Sequence, residues 1–487
     1  MTKKAGIIGA GIGGLATAIR LAIKGFQVDI YETNSTAGGK IAEFTKDGFR
    51  WDMGPSLFTL PELVDELFIL AGKDSKDYLR YHKLDLLTKY FYEDGTQVNA
   101  WADPIKFAQE IENKTEDNAE KVKKYLAKSR KKYQLTNRVF LQSSLHKLGT
   151  YISPDALKAY LQTHKLEAFR TLHRANAIAF QDEKTVQYFD RFATYNGSDP
   201  YQAPATLGII PHLEHNLGAF YPEGGMFSIV KALLQLADEL EIKIHYNSPV
   251  EKIITENGKA KALQISEQQI DYDIIVSNAD VWATYRKLLP QEKAPEKQLN
   301  TERSSSALIF YWAIDETFAN LDLHNIFFSG NYMKEQYAIF KQKTLYDDPT
   351  VYAYISCKEN TSDAPKGKEN WFVMINVPPN TGQDWDHIIS EARSNIIRKL
   401  NRSLGINLHN IILSERVADP RYIEEKMSSY QGALYGSSSN SKFAAFLRHP
   451  NFSSSLKNLY FCGGSVHPGG GIPLCLLSAK IVSDLVK

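Results

Sequence analysis

Apolar residues first gather at Ala5-Gly6-Ile7-Ile8, and a glycine-rich stretch, Gly9-Ala10-Gly11-Ile12-Gly13-Gly14, follows at once. An Ala- and Leu-rich helical pattern runs from there to about Lys24 and stops at Gly25. Alternation in Phe26-Gln27-Val28-Asp29-Ile30-Tyr31 predicts a second strand, ending at Glu32. Leu63, Val64, Leu67, Phe68 and Leu70 recur at helical spacing and predict a helix over 61–74. Residues 89–100 predict a hairpin around Asp94-Gly95, and Asp103-Pro104 supplies an N-cap and a first-turn proline. The pattern is mostly helical over 104–189, with a second start signal at Ser153-Pro154. Pro, Gly and Asn punctuate 196–225, which predicts a loop closed by Gly224-Gly225. A helix over 226–240 is followed by strands over 243–246, 250–255, 261–265 and 273–277, the middle pair turning at Asn257-Gly258. Strands are then expected over 306–314, 351–357 and 371–377, and a long helix over 384–403. A strand over 458–462, a glycine cluster and a helix over 473–486 complete the pattern.

The opening strand, turn, helix and strand give the glycines a chemical meaning. In Gly9-x-Gly11-x-x-Gly14, the first glycine permits a tight turn and the second lets backbone approach a pyrophosphate. The third lets helix pack on strand, and the helix N-terminus offers free N–H groups to an anion. Glu32 stands where a carboxylate accepts hydrogen bonds from a ribose diol. A dinucleotide-binding α/β fold is expected.

Composition narrows the partners. Lys plus Arg is 57 and Asp plus Glu is 56, a net charge of +1, so there is no global excess to gather nucleic acid. The basic residues instead concentrate locally, at Lys121, Lys123, Lys124, Lys128, Arg130, Lys131 and Lys132, on a helix suited either to solvent or to an anionic lipid surface. Cys357, Cys462 and Cys475 are too few for a disulfide framework or a zinc ribbon, so no metal is expected and the compartment reads as reducing. The N-terminal residues lack the apolar core and cleavage site of a signal peptide, and no apolar run reaches membrane-spanning length. At roughly 150 residues per domain, 487 residues suggest about three units.

Further residues carry a resemblance. After Glu32 come Gly38-Gly39-Lys40, Gly48-Phe49 and Asp52-Met53-Gly54-Pro55-Ser56. This resembles the second fingerprint of flavoproteins of the amine oxidase and carotenoid desaturase superfamily, with Lys40 where Arg is usual. The stretch from Asn458 to Pro473, with Gly463, Gly464, Gly471 and Ile472, is similar to the closing motif of bacterial-type carotenoid desaturases. Ser248-Pro249-Val250 and Ser277-Asn278-Ala279-Asp280 match two intermediate segments of that family. The resemblance implies FAD, held by Gly9, Gly11, Ile12, Gly13, Gly14, Glu32, Gly38, Gly39, Lys40, Gly54, Pro55, Ser56, Val250, Asn278, Gly463, Gly464, Gly471 and Ile472. It also implies a Rossmann-like FAD domain sewn from three segments, 1–82, 216–290 and 426–487. An α+β substrate domain of 83–215 and 291–425 would be interleaved with it.

Residues 191–205, from Arg191-Phe192-Ala193-Thr194-Tyr195 to Pro204-Ala205, resemble a stretch of desaturases that insert a 3,4 double bond into 1-hydroxycarotenoids. What this implies is hydride transfer from an allylic CH2–CH2 to flavin. Arg191, Thr194 and Tyr195 are the candidate hydrogen-bond partners of the substrate hydroxyl. Phytoene desaturation, a redox-neutral isomerisation and a non-enzymatic lipid chaperone are the alternatives. No catalytic base is assigned; His467 reads first as a structural histidine and Cys462 and Cys475 as buried thiols. An apolar substrate implies a cytoplasmic protein docked peripherally on the inner face of the membrane, with oxygen or a quinone as electron acceptor. The 26 Tyr, 24 Phe and 6 Trp suit either ordinary core or the lining of a long channel.

Overall fold

The computed structural model describes residues 2–152, 167, 169–441, 444 and 448–487. A five-stranded parallel sheet runs in the order Leu459–Phe461, Ile274–Ser277, Lys4–Ile8, Gln27–Tyr31, Lys243–His245. Its strands come from distant parts of the chain: the N-terminal strand is central, strands from 243–277 lie on both sides of it, and the C-terminal strand is at one edge. Period-2 alternation splits its side chains between two cores. Ile7, Ile30 and Val276 pack against the helices Ile12–Ile23, Phe227–Glu239 and Ile472–Leu485. Ile8, Tyr31 and Ile275 face the other way, toward Ile253 and Leu263 of a three-stranded antiparallel sheet.

A seven-stranded sheet runs in the order Ile412–Ala418, Ser306–Ile314, Glu369–Val377, Val351–Tyr354, His324–Phe327, Leu86–Phe91, Gln97–Trp101. All neighbours are antiparallel except His324–Phe327 beside Leu86–Phe91, which is parallel. Every residue of Ser306–Ile314 is buried, because both faces of the sheet are covered. Leu308, Phe310, Trp312 and Ile314 join Trp371 and Val373 under the helix Trp385–Leu404. Ala307, Ile309 and Tyr311 alternate onto the opposite face, where they line a cavity with Phe372 and Met374. The aromatic strands therefore serve as core on one face and as lining on the other.

Several expectations need correction. Among the described residues, the stretch 104–189 divides into the helices Pro104–Lys114, Ala119–Thr136, Leu148–Tyr151, Leu172–Ala179 and Glu183–Asp190, with a further helical turn at Asn137–Leu141. Thr115 ends the first and Asn118 caps the second, two stops that the apolar periodicity does not mark. The start signal at Ser153-Pro154 lies outside the described residues. The strand expected from Val250 begins at Lys252, and a strand Gln268–Asp271, too polar to be seen by alternation, follows it. Within the expected loop, helical turns form at Ala205–Ile209 and His212–Leu217. The basic helix is not uniformly solvated. Lys132 is buried against Glu167 (2.9 Å), Lys128 also reaches Glu167 (2.7 Å), and Lys121 pairs with Asp117 (2.9 Å). Lys123, Lys124, Arg130 and Lys131 are exposed.

Buried histidines give the fold a defined acid sensitivity. Burial pushes His215, His449 and His467 down to about 4 and His324 down to about 3. An unfolded histidine titrates near 6.5. The unfolded chain therefore binds more protons below that pH, and the histidine contribution, full above it, is lost as pH falls toward 4. Glu335, raised by burial to about 7, acts in the opposite sense, as do the carboxyls of Glu62, Asp190, Asp199, Glu214 and Asp363, raised by burial, and His173, raised by its hydrogen bond to Asp190; they offset part of the histidine effect. The expected result is a melting temperature that drops by roughly 5 °C or more between pH 6.5 and pH 5. Calorimetry showing a flat or rising melting temperature over that range would contradict these histidine environments.

Candidate functional site

One cavity of about 1320 Å³ joins the two sheets. It exceeds the roughly 300–1,000 Å³ of an ordinary ligand pocket, so it has room for a large cofactor and an extended second molecule. Two helix N-termini open into it, at Ile12 and at Ile472. Their N-cap residues are Gly11 and Gly471, and neither N-terminus has a side-chain cap. First-turn N–H groups are thus left for a ligand, with the positive end of each helix dipole behind them. Both features suit an anionic group.

The glycines are required by space. A Cβ on Gly14 would lie 2.1 Å from the Gly9 carbonyl oxygen, and one on Gly13 would meet Asn278 Oδ1 at 2.7 Å and Gly463 Cα at 3.1 Å. Asn278 closes this corner. Its backbone N–H donates to Ile8 O (2.8 Å) and its Nδ2 donates to Gly9 O (3.4 Å). Gly54 has φ +96° and leaves no room beside Lys40 O, 1.9 Å from where its Cβ would stand. Gly11, Ile12, Gly13, Gly38, Gly39, Lys40, Gly54, Pro55, Ser56, Asn278, Gly463, Gly464, Gly471 and Ile472 all line the cavity. Gly9, Gly14, Glu32 and Val250 do not; they lie behind the glycine turn or at its outer end. Glu32 Oε2 accepts from Ala10 N (2.7 Å), and Oε1 accepts from Asn34 N and Nδ2 (2.9 Å each). A carboxylate has about four acceptor positions, so capacity remains for a diol. Ser248 N–H donates to Glu32 O (2.9 Å), which brings the Val250 segment beside this carboxylate.

Lys40 is held by three acceptors far along the chain: Ser429 Oγ (3.1 Å), Ala433 O (3.3 Å) and Leu434 O (2.8 Å). Burial lowers its ammonium from the ordinary value, with Asp280 and Cys475 opposing. Cys475 lines the cavity edge with its thiol pushed up to about 11 by burial, and Cys462 is buried behind it at about 12. Both are therefore protonated thiols at neutral pH. His467 is buried and its Nε2 donates to Ser143 O (3.0 Å), while Nδ1 is sealed and has no hydrogen-bond partner among the described residues.

The opposite part of the cavity is apolar, with Leu60, Phe140, Ile210, Ile309, Phe372 and Met427 among its walls. A polar cluster interrupts it, and all three sequence-predicted substrate residues, Arg191, Thr194 and Tyr195, belong to it. Arg191 Nη1 donates to Tyr90 OH (2.8 Å) and weakly to Tyr195 OH (3.4 Å), and Tyr195 OH donates to Glu214 Oε2 (2.8 Å). Burial opposes the Arg191 charge, but Tyr195, Tyr90 and Glu214 around it hold the guanidinium above its ordinary value. Burial also raises the Glu214 carboxyl, against Arg191 and the Tyr195 hydrogen bond. Thr194 Oγ1 donates to Arg191 O (2.8 Å), which leaves its oxygen as an acceptor only. Ser56 Oγ and Tyr352 OH lie 2.6 Å apart, and Tyr352 OH is 2.7 Å from His324 Nδ1. Sequence reading missed Tyr90, Glu214, His324 and Tyr352. A single histidine or tyrosine on an apolar strand carries no motif.

The profile of the family described as flavin containing amine oxidoreductase matches residues 12–487. A 1-hydroxycarotenoid 3,4-desaturase of Flavobacterium sp. (strain P99-3) is 50% identical over 484 residues, 99% of each chain. A phytoene desaturase of Fusarium fujikuroi is 30% identical over 506 residues, covering 99% of this chain and 88% of that one. The solved structure of cyclohexylamine oxidase from Brevibacterium oxydans IH-35A superposes with a TM-score of 0.62, covering 100% of this chain and 98% of that one. At 14% identity that likeness speaks for the fold alone. With its parallel sheet, uncapped glycine turn and full-length matches, the chain belongs to the flavin containing amine oxidoreductase family.

Proposed function

We propose that this protein is an FAD-dependent carotenoid desaturase that converts an allylic CH2–CH2 of a 1-hydroxycarotenoid into a conjugated 3,4 double bond. The observation that carries the reading is the 50% identity, spread over 99% of both chains, to a relative of that activity. Phytoene desaturation is the second reading, supported by the more distant Fusarium relative. The cavity agrees with a long apolar substrate that has one polar end.

FAD fits the residues present. The glycine turn 9–14 would hold the pyrophosphate, Glu32 and the Val250 segment the adenosine end, and Gly38 to Lys40 with Gly54 to Ser56 the flavin side. Gly463, Gly464, Gly471 and Ile472 would close over it from the second helix N-terminus. On this reading the cofactor domain would comprise 1–82, 216–290 and 426–487, and the substrate domain 83–215 and 291–425. When bound, FAD supplies the acceptor for a hydride. The chain's own groups orient the polyene, exclude water with apolar walls, and offer the substrate hydroxyl a partner. A hydroxyl buried without a partner is costly, and Arg191 carries N–H groups beyond those given to Tyr90 and Tyr195. Parallel incubation with phytoene and with a 1-hydroxycarotenoid, read by absorption maxima, tests the reading. A red shift only with the hydroxycarotenoid is expected; a red shift only with phytoene would overturn it.

The substrate dissolves in lipid, so we place the protein peripherally on the cytoplasmic face of a membrane. Among the described residues no helix is long and apolar enough to cross one. Phe169 lines the cavity and is 86% exposed, and Arg170 beside it pairs with Glu167, which also holds Lys128 and Lys132 of the basic helix. An apolar mouth next to basic side chains favours anionic lipid, worth about 1 kcal/mol per well-placed cation. Binding to anionic liposomes at low salt, weakened by replacing Lys123, Lys124, Arg130 and Lys131 with Gln, is the expected result. Equal binding to neutral liposomes, or none, would contradict it. Oxygen or a membrane quinone would then serve as electron acceptor.

A further inference from the structure

We infer that His324 takes the proton that desaturation releases. The inference rests on the 3,4-desaturase reading and adds to it the base that the reading lacks. Its starting point is a chemical constraint. The carbon that loses the proton stands two bonds from the carbon bearing the hydroxyl. The group that accepts the proton must therefore face the same end of the cavity as the hydroxyl's partner.

The cavity holds few bases. Glu167 is engaged by Lys128, Lys132 and Arg170. Asp280 accepts from Trp282 N (2.8 Å) and faces Lys40 electrostatically. The free nitrogen of His467 is sealed from the cavity. His324 differs from all three. It lies on the strand His324–Phe327, on the face that alternates toward the cavity, and lines the cavity with Tyr352 and Arg191. Its ring is stacked on Tyr354 (centroids 5.3 Å, 23° between planes), which fixes its orientation. Nδ1 is engaged by Tyr352 OH at 2.7 Å, and Tyr352 OH by Ser56 Oγ at 2.6 Å. Nε2 has no protein partner among the described residues and is not sealed. One nitrogen oriented by a hydroxyl and the other bare toward substrate is the arrangement of a positioned base.

With the proton on Nδ1, the chain reads Nδ1–H to Tyr352 O and Tyr352 O–H to Ser56 Oγ. The carbon–hydrogen bond at carbon 3 breaks, its electron pair becomes the new π bond, and the proton goes to Nε2. The hydride from carbon 4 would go to FAD when bound, the two-electron acceptor that balances the oxidation of the substrate. Once product has left, Nε2 gives the proton to water entering the cavity, and the ring returns to the Nδ1–H tautomer that Tyr352 and Ser56 hold. Burial, with Arg191 nearby, lowers His324 to about 3, so the ring is neutral and able to accept throughout the neutral range. A weak base suffices, because the polyene cation it relieves is strongly acidic.

His324→Asn retains a polar group opposite Tyr352 and removes Nε2. The expected result is a loss of roughly 10²- to 10⁴-fold in turnover with the substrate dissociation constant changed less than about threefold. A deuterium isotope effect at carbon 3 should emerge in the variant that the wild type does not show. Nitrogen NMR of the cofactor-free wild type should show His324 neutral and protonated on Nδ1, with Tyr352→Phe mixing the tautomers. A variant within fivefold of wild type, or an unchanged carbon-3 isotope effect, would overturn the assignment while leaving the functional reading intact. So would an Nε2-protonated ring in the wild type. Wild-type protein that leaves the hydroxycarotenoid unchanged would overturn the functional reading and this assignment with it.

Discussion

Gly14→Val is expected to yield protein without flavin. Even the first side-chain carbon would stand 2.1 Å from the Gly9 carbonyl oxygen. That oxygen belongs to the turn whose glycines approach Asn278 and Gly39, so relief requires the turn to open. Opening it displaces the N–H groups of the helix Ile12–Ile23 from the place where an anion would meet them. Overpacking of this kind costs about 1–3 kcal/mol in stability, and the lost phosphate contacts add to it as weaker binding. Flavin affinity should fall by at least about 100-fold, which is roughly 2.8 kcal/mol. Flavin absorbance of the purified protein, with circular dichroism to separate loss of cofactor from loss of fold, measures this. Gly149→Ala is the control, since a Cβ there meets nothing within 4 Å. A folded Gly14→Val protein that keeps its yellow colour would contradict the role of the turn.

The second large effect is expected at Arg191, and it is one of discrimination. Arg191→Met removes the charged donor at the polar end of the cavity while keeping most of the volume. A hydrogen bond to a charged group contributes about 1.5–3 kcal/mol, so kcat/KM for the 1-hydroxycarotenoid should fall about 10- to 100-fold. The analogue lacking the hydroxyl should lose much less, and the ratio between the two is the informative quantity. General damage to the fold lowers both alike. Some is expected, because Glu214 loses the neighbouring charge that opposes its burial and keeps only the Tyr195 hydrogen bond. A specificity ratio unchanged by Arg191→Met would remove this residue from substrate recognition.

These two sites differ in how far the sequence discloses them. The glycine turn is legible because its parts lie within a few residues and each is forced by a local steric reason. Gly14 must be small beside Gly9 whatever the remainder of the chain does. The strand Ser306–Ile314 is legible for a similar reason: nine consecutive buried positions leave little but a covered strand. The polar end of the cavity is built otherwise. Tyr352 meets Ser56 across 296 positions, and Arg191 meets Tyr90 across 101. Such contacts depend on how two sheets are set against each other, and no pattern in either segment encodes its partner. The basic helix shows the converse limit. Its periodicity is plain, but the burial of Lys132 depends on Glu167, whose position is a tertiary fact. The stretch 191–205 stands between these cases. Family resemblance marked Arg191, Thr194 and Tyr195, and the structure adds why they sit together: a helical turn at Arg191–Asn196 presents all three to one cavity.

The central claim is that the cavity brings an allylic CH2–CH2 of a 1-hydroxycarotenoid to bound FAD. Anaerobic mixing of the FAD-loaded protein with that carotenoid, followed by flavin absorbance, product spectrum and product mass, tests it most directly. The account predicts bleaching of the flavin together with a red-shifted product lighter by two hydrogens. An unbleached flavin, or a product of unchanged mass, would contradict it.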